Sequence, residues 1–293
     1  VTAERALFDE TSGVVRLFDS VVARGPDFEM RTESVTYATK EHTVSSLAPV
    51  QMRRYRVGPE GEKQLAMTVR GTGMDVDLTV RRILIKSDTE ARLFDVSEDF
   101  LASGLPTENE KPETSEVVIR ADGSMEYEHT GREVTFTRNV RASTGPRTLR
   151  AGKLVLALAK SEGTETLHVT GITATGNVSF RFGDQTGTGA KLVWQNVTQR
   201  GVLTGDPAVL TMPDFTVSGG NLSFVHLNNR FQVDGRGRLN WVPARQNAGD
   251  DAREGDQARQ PDAARAPLVP DKPVEVTWAE AMAYDSAMRT ARF

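Results

Sequence analysis

Residues 74–81 read Met-Asp-Val-Asp-Leu-Thr-Val-Arg, and apolar side chains alternate with polar ones along this stretch. The same alternation recurs at residues 178–182, which read Val-Ser-Phe-Arg-Phe. A period of two residues places successive side chains on opposite faces of a β-strand. Each stretch therefore predicts a strand with one apolar and one solvated face.

Short runs of the same kind are spread over the chain and are separated by Gly, Asn, Asp or Pro. They are Phe28–Met30, Val50–Met52, Met67–Val69, Val134–Phe136, Leu192–Trp194, Phe215–Val217, Leu222–Phe224 and Phe231–Val233. The sequence shows no convincing helical segments of the kind that a βαβ fold places between its strands. We therefore predict an antiparallel, all-β fold.

The composition excludes several classes of function. The chain has 293 residues, with 36 Lys and Arg against 40 Asp and Glu, and no cysteine. The formal net charge of −4 gives no strong field for polyanions, and no apolar run reaches the roughly 18 residues of a membrane-spanning helix. Without cysteine there is no disulfide, thiolate zinc site or cysteine nucleophile. We expect neither nucleic-acid binding nor a transmembrane segment.

Changes in composition divide the chain. Residues 104–115 are rich in Pro, Glu and Thr and predict a boundary loop between β-rich units at 1–103 and 116–243. Residues 244–272 contain no aromatic residue and few large aliphatic ones, so they cannot offset the entropy of ordering and predict a disordered linker. Residues 273–293 are interpreted as the start of a further repeat or, alternatively, as a short helix.

Two short segments of the second half repeat each other. Asn139-Val140 and Asn177-Val178 lie 38 residues apart, and each pair is followed by a strand-like segment. Repeated units that each expose an apolar face must stack to close a core, which favours a solenoid or jellyroll arrangement of the sheet.

No constellation of residues predicts catalysis. Gly-x-Gly motifs at 71–73, 187–189 and 235–237 lack the third glycine and the following helix of a dinucleotide loop, and are interpreted as turns at strand ends. Four histidines lie far apart without metal-ligand spacing and are interpreted as ordinary surface or turn residues: His42, His129, His168 and His226. We predict no cofactor, no metal and no enzymatic activity.

The apolar strand faces carry an aromatic-rich set. Its members are Val178, Phe180, Phe182, Trp194, Phe224 and Phe231. In a closed β-sandwich such a set is the core, whereas in a sheet stack left open along one edge it lines a groove for acyl chains. The pattern alone leaves both interpretations open.

An ordered series of short motifs carries a family resemblance. Residues 174–178 read Ala-Thr-Gly-Asn-Val, residues 203–209 read Leu-Thr-Gly-Asp-Pro-Ala-Val, and residues 233–235 read Val-Asp-Gly. With Gly189-Ala190 between them, this order resembles the OstA-like domain of the periplasmic lipopolysaccharide-transport (Lpt) proteins over about residues 113–243.

The first half is similar to the inner-membrane-anchored partner of the same pathway through weaker motifs. These are Ala6-Leu-Phe8-Asp9 and Gly13-Val-Val15. The resemblance implies two twisted antiparallel β-jellyroll units with an open, V-shaped cross-section. It also implies that the chain is a periplasmic piece of a longer multi-repeat protein.

The resemblance further implies a function. The chain would bind lipid A acyl chains of lipopolysaccharide, join other Lpt-type β-jellyroll proteins end to end, and pass glycolipid toward the outer membrane. The residues that would line the lipid-binding trough are Val178, Phe180, Phe182, Trp194, Phe215, Val217, Leu222, Phe224, Phe231 and Val233. Basic residues near strand ends either meet lipid phosphates at the rim or serve only solubility: Arg24, Arg54, Arg81, Arg181 and Arg200.

Two functions of other classes stay open. One is a structural or adhesive β-repeat protein with closed cores and no lipid ligand. The other is the periplasmic domain of an outer-membrane assembly barrel.

Overall fold

The computed structural model describes residues 1–57, 61–96, 115–160, 167–225, 230–241, 273–285 and 290–293. All helix or strand elements within these ranges are β-strands, and no α-helix is present among them. The predicted all-β fold is confirmed.

Six strands come from the first third of the chain: β1 (Arg5–Asp9), β2 (Val14–Arg24), β3 (Phe28–Ala38), β4 (Thr43–Val57), β5 (Lys63–Asp77) and β6 (Arg82–Val96). Six come from the middle: β7 (Ser115–Ala121), β8 (Met125–Glu128), β9 (Glu133–Thr144), β10 (Arg147–Lys160), β11 (Leu167–Phe182) and β12 (Gln185–Gln195). The rest are β13 (Arg200–Thr211), β14 (Phe215–Val225), β15 (Arg230–Trp241), β16 (Val274–Trp278), β17 (Ala281–Asp285) and β18 (Thr290–Arg292).

The strands form one antiparallel sheet in which each long strand pairs with its neighbours in the chain. At two places a pair of short strands replaces one long strand: β7 and β8 both lie between β6 and β9, and β16 and β17 both pair with β15. Such a meander needs only local connections, which are the commonest kind between antiparallel strands.

Most long strands bend near their middle. The pairing register shifts at the same level from strand to strand, for example between Phe18 and Val21 in β2, and between Thr175 and Val178 in β11. Because an extra residue in one strand bends it and increases its twist, the shifts together form a line of bends across the sheet. This line divides the sheet into two legs.

Leg A contains residues 21–24, 28–32, 49–57, 63–72, 89–96, 115–121, 140–151, 178–189, 208–219, 237–241 and 274–278. Leg B contains residues 5–9, 14–18, 36–46, 74–87, 125–137, 153–160, 167–175, 191–204, 221–225, 230–234, 281–285 and 290–292.

The bends use residues that tolerate a left-handed backbone. Gly176 and Asn177 have φ of 80° and 49°, and Asn139 in β9 has φ of 48°. Glycine and asparagine are the residues that adopt this region at least cost. The repeated Asn-Val pairs of the sequence therefore mark equivalent bends, and in each pair the following valine is buried.

Buried apolar residues of both legs form a single hydrophobic cluster. It includes Val69 and Ile119 from leg A together with Ile85 and Leu154 from leg B. The inner faces of the two legs therefore pack against each other, as in a β-jellyroll, and the solvated faces lie outside.

One part of the strand prediction is wrong. The strand over residues 74–81 ends at Asp77, and Leu78 and Val80 lie exposed in the turn that follows. The Asp77 carboxylate accepts hydrogen bonds from the backbone N–H groups of Thr79 and Val80 at 2.9 and 3.1 Å. This local side-chain capture of the backbone starts a turn and overrides the apolar alternation.

Where the structure describes them, residues 273–293 form strands β16 to β18 of the same sheet and no helix. The predicted linker at 244–272 lies outside the described residues, as does the boundary loop except for Ser115. Strand β6 pairs directly with β7, so the sheet continues from the first half into the second. The domain boundaries themselves stay a prediction.

Candidate functional site

The ten residues predicted to line a trough all lie on the inner faces of the two legs. Leg A supplies Val178, Phe180 and Phe182 from β11, and Phe215 and Val217 from β14. Leg B supplies Trp194, Leu222, Phe224, Phe231 and Val233 from β12, β14 and β15. Nine of them are buried, with relative exposures of 9% or less, and Phe215 is half-buried against the cluster.

Aromatic rings connect the legs at two places. The rings of Phe180 and Phe224 have centroids 6.5 Å apart, and those of Phe215 and Phe231 are 5.1 Å apart and stacked. In both pairs the first ring belongs to leg A and the second to leg B. Pairs at such distances contribute about 0.5–1.5 kcal/mol beyond the area that they bury. They therefore help to hold the interior closed.

Glycines make room for two of these rings. Gly187 pairs with Phe180 across β11 and β12, and Gly201 pairs with Phe224 across β13 and β14. A Cβ atom at either glycine would lie 2.2 Å from the Cζ atom of the paired ring. Each ring therefore lies flat over a neighbouring strand that carries no side chain at that point.

An unbroken row of inward-facing residues runs along leg B and is called inner row B. Each residue is the register partner of the next, from β1 at one end of the sheet to β18 at the other. It comprises Phe8, Val15, Tyr37, Val44, Val76, Ile83, Tyr127, Val134, Leu156, Ile172, Trp194, Gly201, Phe224, Phe231, Tyr284 and Ala291. Its length is about 70 Å at the usual strand spacing.

Leg A carries a corresponding row, called inner row A. It comprises Ala23, Met30, Met52, Val69, Ala91, Ile119, Ala142, Leu149, Phe180, Gly187, Leu210, Val217, Leu239 and Val276. Neither row contains a charged residue. The two rows therefore form a continuous apolar lining along the stack of strands.

Sequence reasoning missed the contribution of the C-terminal strands to this interior. The Tyr284 ring lies 4.9 Å from Phe231 and 5.7 Å from Phe215, and Met282 is buried. The alternation of the apolar residues Met282 and Tyr284 with small or polar ones could have indicated a strand with one inward face. Their pairing with β15, however, crosses residues 242–272, and no local pattern specifies a contact over that separation.

Inner row B contains a buried polar atom that lacks a partner in the part of the chain that the structure describes. The indole Nε1–H of Trp194 is buried and has no hydrogen-bond partner among the described residues. A buried donor without a partner costs about 1–3 kcal/mol. An acceptor oxygen placed beside Nε1 would remove this cost.

The five basic residues suggested for a rim are not gathered into one site. Arg24 pairs with Glu29 at 2.9 Å and Arg54 with Asp27 at 3.2 Å, both on leg A. Arg181 also lies on leg A, whereas Arg81 precedes β6 and Arg200 opens β13, both on leg B.

The described residues contain no group of three His, Cys, Asp or Glu side chains that could hold a metal ion. Within the same residues, no helix is long and apolar enough to cross a membrane.

Comparison with known proteins gives one family. The family described as LptA/(LptD N-terminal domain) LPS transport protein matches residues 118–227. A search of curated proteins found no match. The matched segment contains the inner face from β9 to β14 and the Gly-Asn bend of β11, together with eight of the ten predicted trough residues. The chain therefore carries, in residues 118–227, an OstA-like domain of the lipopolysaccharide-transport (Lpt) family.

Proposed function

We propose that this protein binds the lipid A acyl chains of lipopolysaccharide between its two legs and passes the glycolipid along the inner rows. The observation that carries the proposal is the continuity of those rows, which offer apolar contact from β1 to β18 without a charged residue. Acyl chains moving along such a lining exchange one apolar contact for another, so no large barrier from exposure to water opposes the movement.

Entry of a guest requires the legs to separate, because the aromatic pairs Phe180–Phe224 and Phe215–Phe231 close the interior. Acyl chains that replace these contacts keep the side chains buried, so separation of the legs costs much less with a guest than without one. The line of bends is the natural hinge because the sheet ladder is already interrupted there.

The proposal places the protein in the periplasm, with the glycolipid moving toward the outer membrane. Its partners are further β-jellyroll proteins of the Lpt type, joined end to end. The sheet supports such joining because β1 pairs only with β2 and β18 only with β17 among the described strands. Unpaired backbone groups at both ends are available for strand addition. No catalytic step is assigned to the protein.

Site-specific photo-crosslinking tests the binding. A photoreactive residue at Phe180 or Phe224 is expected to form adducts with lipopolysaccharide. The matched control is Ser223, one residue from Phe224 on the outer face of the same strand. Adducts from the inner positions alone support the proposal, whereas their absence from both inner positions overturns it.

The burial of nine of the ten site residues favours one alternative, a structural β-repeat protein whose interior is a permanently closed core. A fluorescent acyl probe separates the two functions. Binding of the probe, and its displacement by lipopolysaccharide, is expected for the transport protein and excluded for the closed core.

A further inference from the structure

The outer face of leg A carries two parallel rows of register-paired residues rich in arginine. We call them the outer rows. The first contains Arg31, Gln51, Arg70, Glu90, Arg120, Arg141, Arg150 and Ser179. The second lies two residues further along each strand and contains Glu29, Arg53, Thr68, Arg92, Val118, Ser143, Thr148 and Arg181.

The outer rows contain eight arginines and two glutamates, so they carry an excess of positive charge, although the whole chain has a net charge of −4. The rows cross eight strands and so extend over about 34 Å. Their residues alternate with buried ones such as Val69, Ile119 and Leu149, so the arginines lie on the solvated side of the leg.

The middle portion of the outer rows, on β5, β6 and β7, shows how this face holds an anionic group. The Glu90 carboxylate accepts hydrogen bonds from Arg70, Arg92 and Arg120 on three consecutive strands, at 2.7–2.8 Å. Three guanidinium groups thus converge on one oxyanion. Arginine suits this role because its planar fork matches carboxylate and phosphate oxygens.

On β9, β10 and β11 the outer rows contain arginines but no glutamate or aspartate. Arg141 and Arg150 are direct register partners, and Arg120 is the partner of Arg141 on the other side. Among the described residues neither Arg141, Arg150 nor Arg181 forms an ion pair with a carboxylate. Like charges directly opposite each other destabilise a sheet, so the Arg141–Arg150 pair, which no carboxylate among the described residues neutralises, disfavours the isolated protein unless an external anion lies over it.

We propose that the outer rows dock on an anionic lipid bilayer, with the Arg141–Arg150–Arg181 portion binding lipid phosphate groups. The charges are distributed over a long outer sheet face rather than gathered in a concave pocket, which a small anion would require. Headgroups that move laterally in a bilayer adjust to such a spacing, whereas an acidic protein segment would have to match it in advance. This docking does not depend on the binding of glycolipid between the legs.

The test is co-sedimentation of the full chain with vesicles of phosphatidylcholine containing roughly a third phosphatidylglycerol, compared with phosphatidylcholine alone. Because the net charge is negative, binding to the anionic vesicles reports a local patch and not the bulk charge. The bound fraction is expected to fall as salt is added. Failure to bind anionic vesicles at low salt overturns the proposal.

A pair of charge-matched variants locates the surface. The variant R141Q/R150Q/R181Q is expected to bind anionic vesicles roughly a hundredfold more weakly, since each arginine near a charged surface contributes about fivefold. The control R16Q/K153Q/K191Q makes the same change in net charge at exposed positions of leg B. It is expected to retain most of the binding.

Equal weakening by the two triple variants overturns the proposal. A second outcome also overturns the proposal: the protein binds poly-glutamate through Arg141 and Arg150 but does not bind the vesicles. The face would then be a site for an acidic protein. Thermal melting of each variant checks the fold. R141Q/R150Q/R181Q is expected to be at least as stable as the parent because it removes the Arg141–Arg150 repulsion.

Discussion

The carboxylate of Glu90 shows how one residue stabilises several strands at once. Burial of this group raises its pKa. The hydrogen bonds from Arg120, Arg92 and Arg70 lower the pKa by more than burial raises it, so the net result is a pKa of about 2 against an ordinary value of 4.5. The group joins β5, β6 and β7, where the first half of the sheet meets the second.

Substitution of Glu90 by Gln is expected to lower the free energy of unfolding by about 2 kcal/mol at neutral pH, because three arginines lose their shared anion. Since the folded-state pKa is depressed, the stabilisation is complete above pH 4.5 and is lost as the pH falls toward 2. Urea unfolding of both proteins over this pH range should show their stabilities converging in acid.

The control for this prediction is Glu116→Gln. Among the described residues Glu116 pairs only with Arg92, at 3.1 Å, and its side chain is 40% exposed, so its loss should cost less than about 1 kcal/mol. An equal loss of stability in the two variants would contradict a special role for Glu90.

Trp194 supplies a second prediction at the scale of the residue. Trp194→Phe removes the unpartnered indole N–H and keeps an aromatic ring, so the free energy of unfolding should change by less than about 1 kcal/mol. If an ester, amide or hydroxyl oxygen of bound lipopolysaccharide accepts from Nε1, affinity for the glycolipid should fall by roughly tenfold. Affinity for a plain hydrocarbon probe should stay unchanged.

Fluorescence titrations with the two ligands measure this difference. Equal weakening for both ligands would mean that Trp194 acts through its size alone.

At the scale of the element, the close contact between a ring and a neighbouring glycine determines how strands pack in the interior. Gly187→Ala places a Cβ atom 2.2 Å from the Phe180 ring, which is packed within the core and cannot move freely. We expect a loss of about 1–3 kcal/mol in the free energy of unfolding, measured by chemical denaturation.

Gly220 provides a matched control in the bend of β14. No heavy atom lies within 4 Å of the position that its Cβ would occupy. Gly220→Ala should therefore be neutral or slightly stabilising, because alanine restricts the unfolded chain. If both variants behaved alike, the Phe180 contact would not be the cause.

The elements also show what the sequence could and could not predict. The inward positions of Phe180 and Phe224 followed from alternation, since a period of two assigns a face without knowledge of the partner strand. The end of β5 at Asp77 did not follow from alternation, because the turn depends on hydrogen bonds that the Asp77 carboxylate accepts from backbone N–H groups. The motif at 174–178 indicated a family, but its role as a bend became visible only when the neighbouring register shifts lined up.

At the scale of the whole molecule, charge is distributed differently from what the total suggests. A net charge of −4 predicted no affinity for anions, and that inference treats the charges as uniformly spread. Register pairing places Arg120, Arg141 and Arg150 side by side although they are 21 and 9 residues apart in sequence. Composition cannot anticipate such an outer face because it depends on which strands become neighbours.

In the proposed end-to-end joining, the two ends of the sheet are the surfaces that would meet. In β1, Leu7 and Phe8 are 61% and 65% exposed, and Phe8 is the terminal member of inner row B. A second sheet added beside β1 would cover both residues and continue the apolar lining into the next molecule. The proposed joining of molecules and the continuity of the lining would thus depend on the same edge.

The double variant L7K/F8K should therefore weaken end-to-end association, because lysine on an edge strand opposes the addition of another strand. Light scattering coupled to size-exclusion chromatography, over a range of protein concentrations, is expected to show the parent forming larger species as concentration rises and the variant staying monomeric. The control is Leu47→Lys, which also replaces an exposed apolar residue, here 82% exposed, but lies at the bend of β4 away from either end. It should associate like the parent. If L7K/F8K associates as strongly as the parent, β1 is not the joining edge, and a continuous lining across molecules would have to form through a different surface.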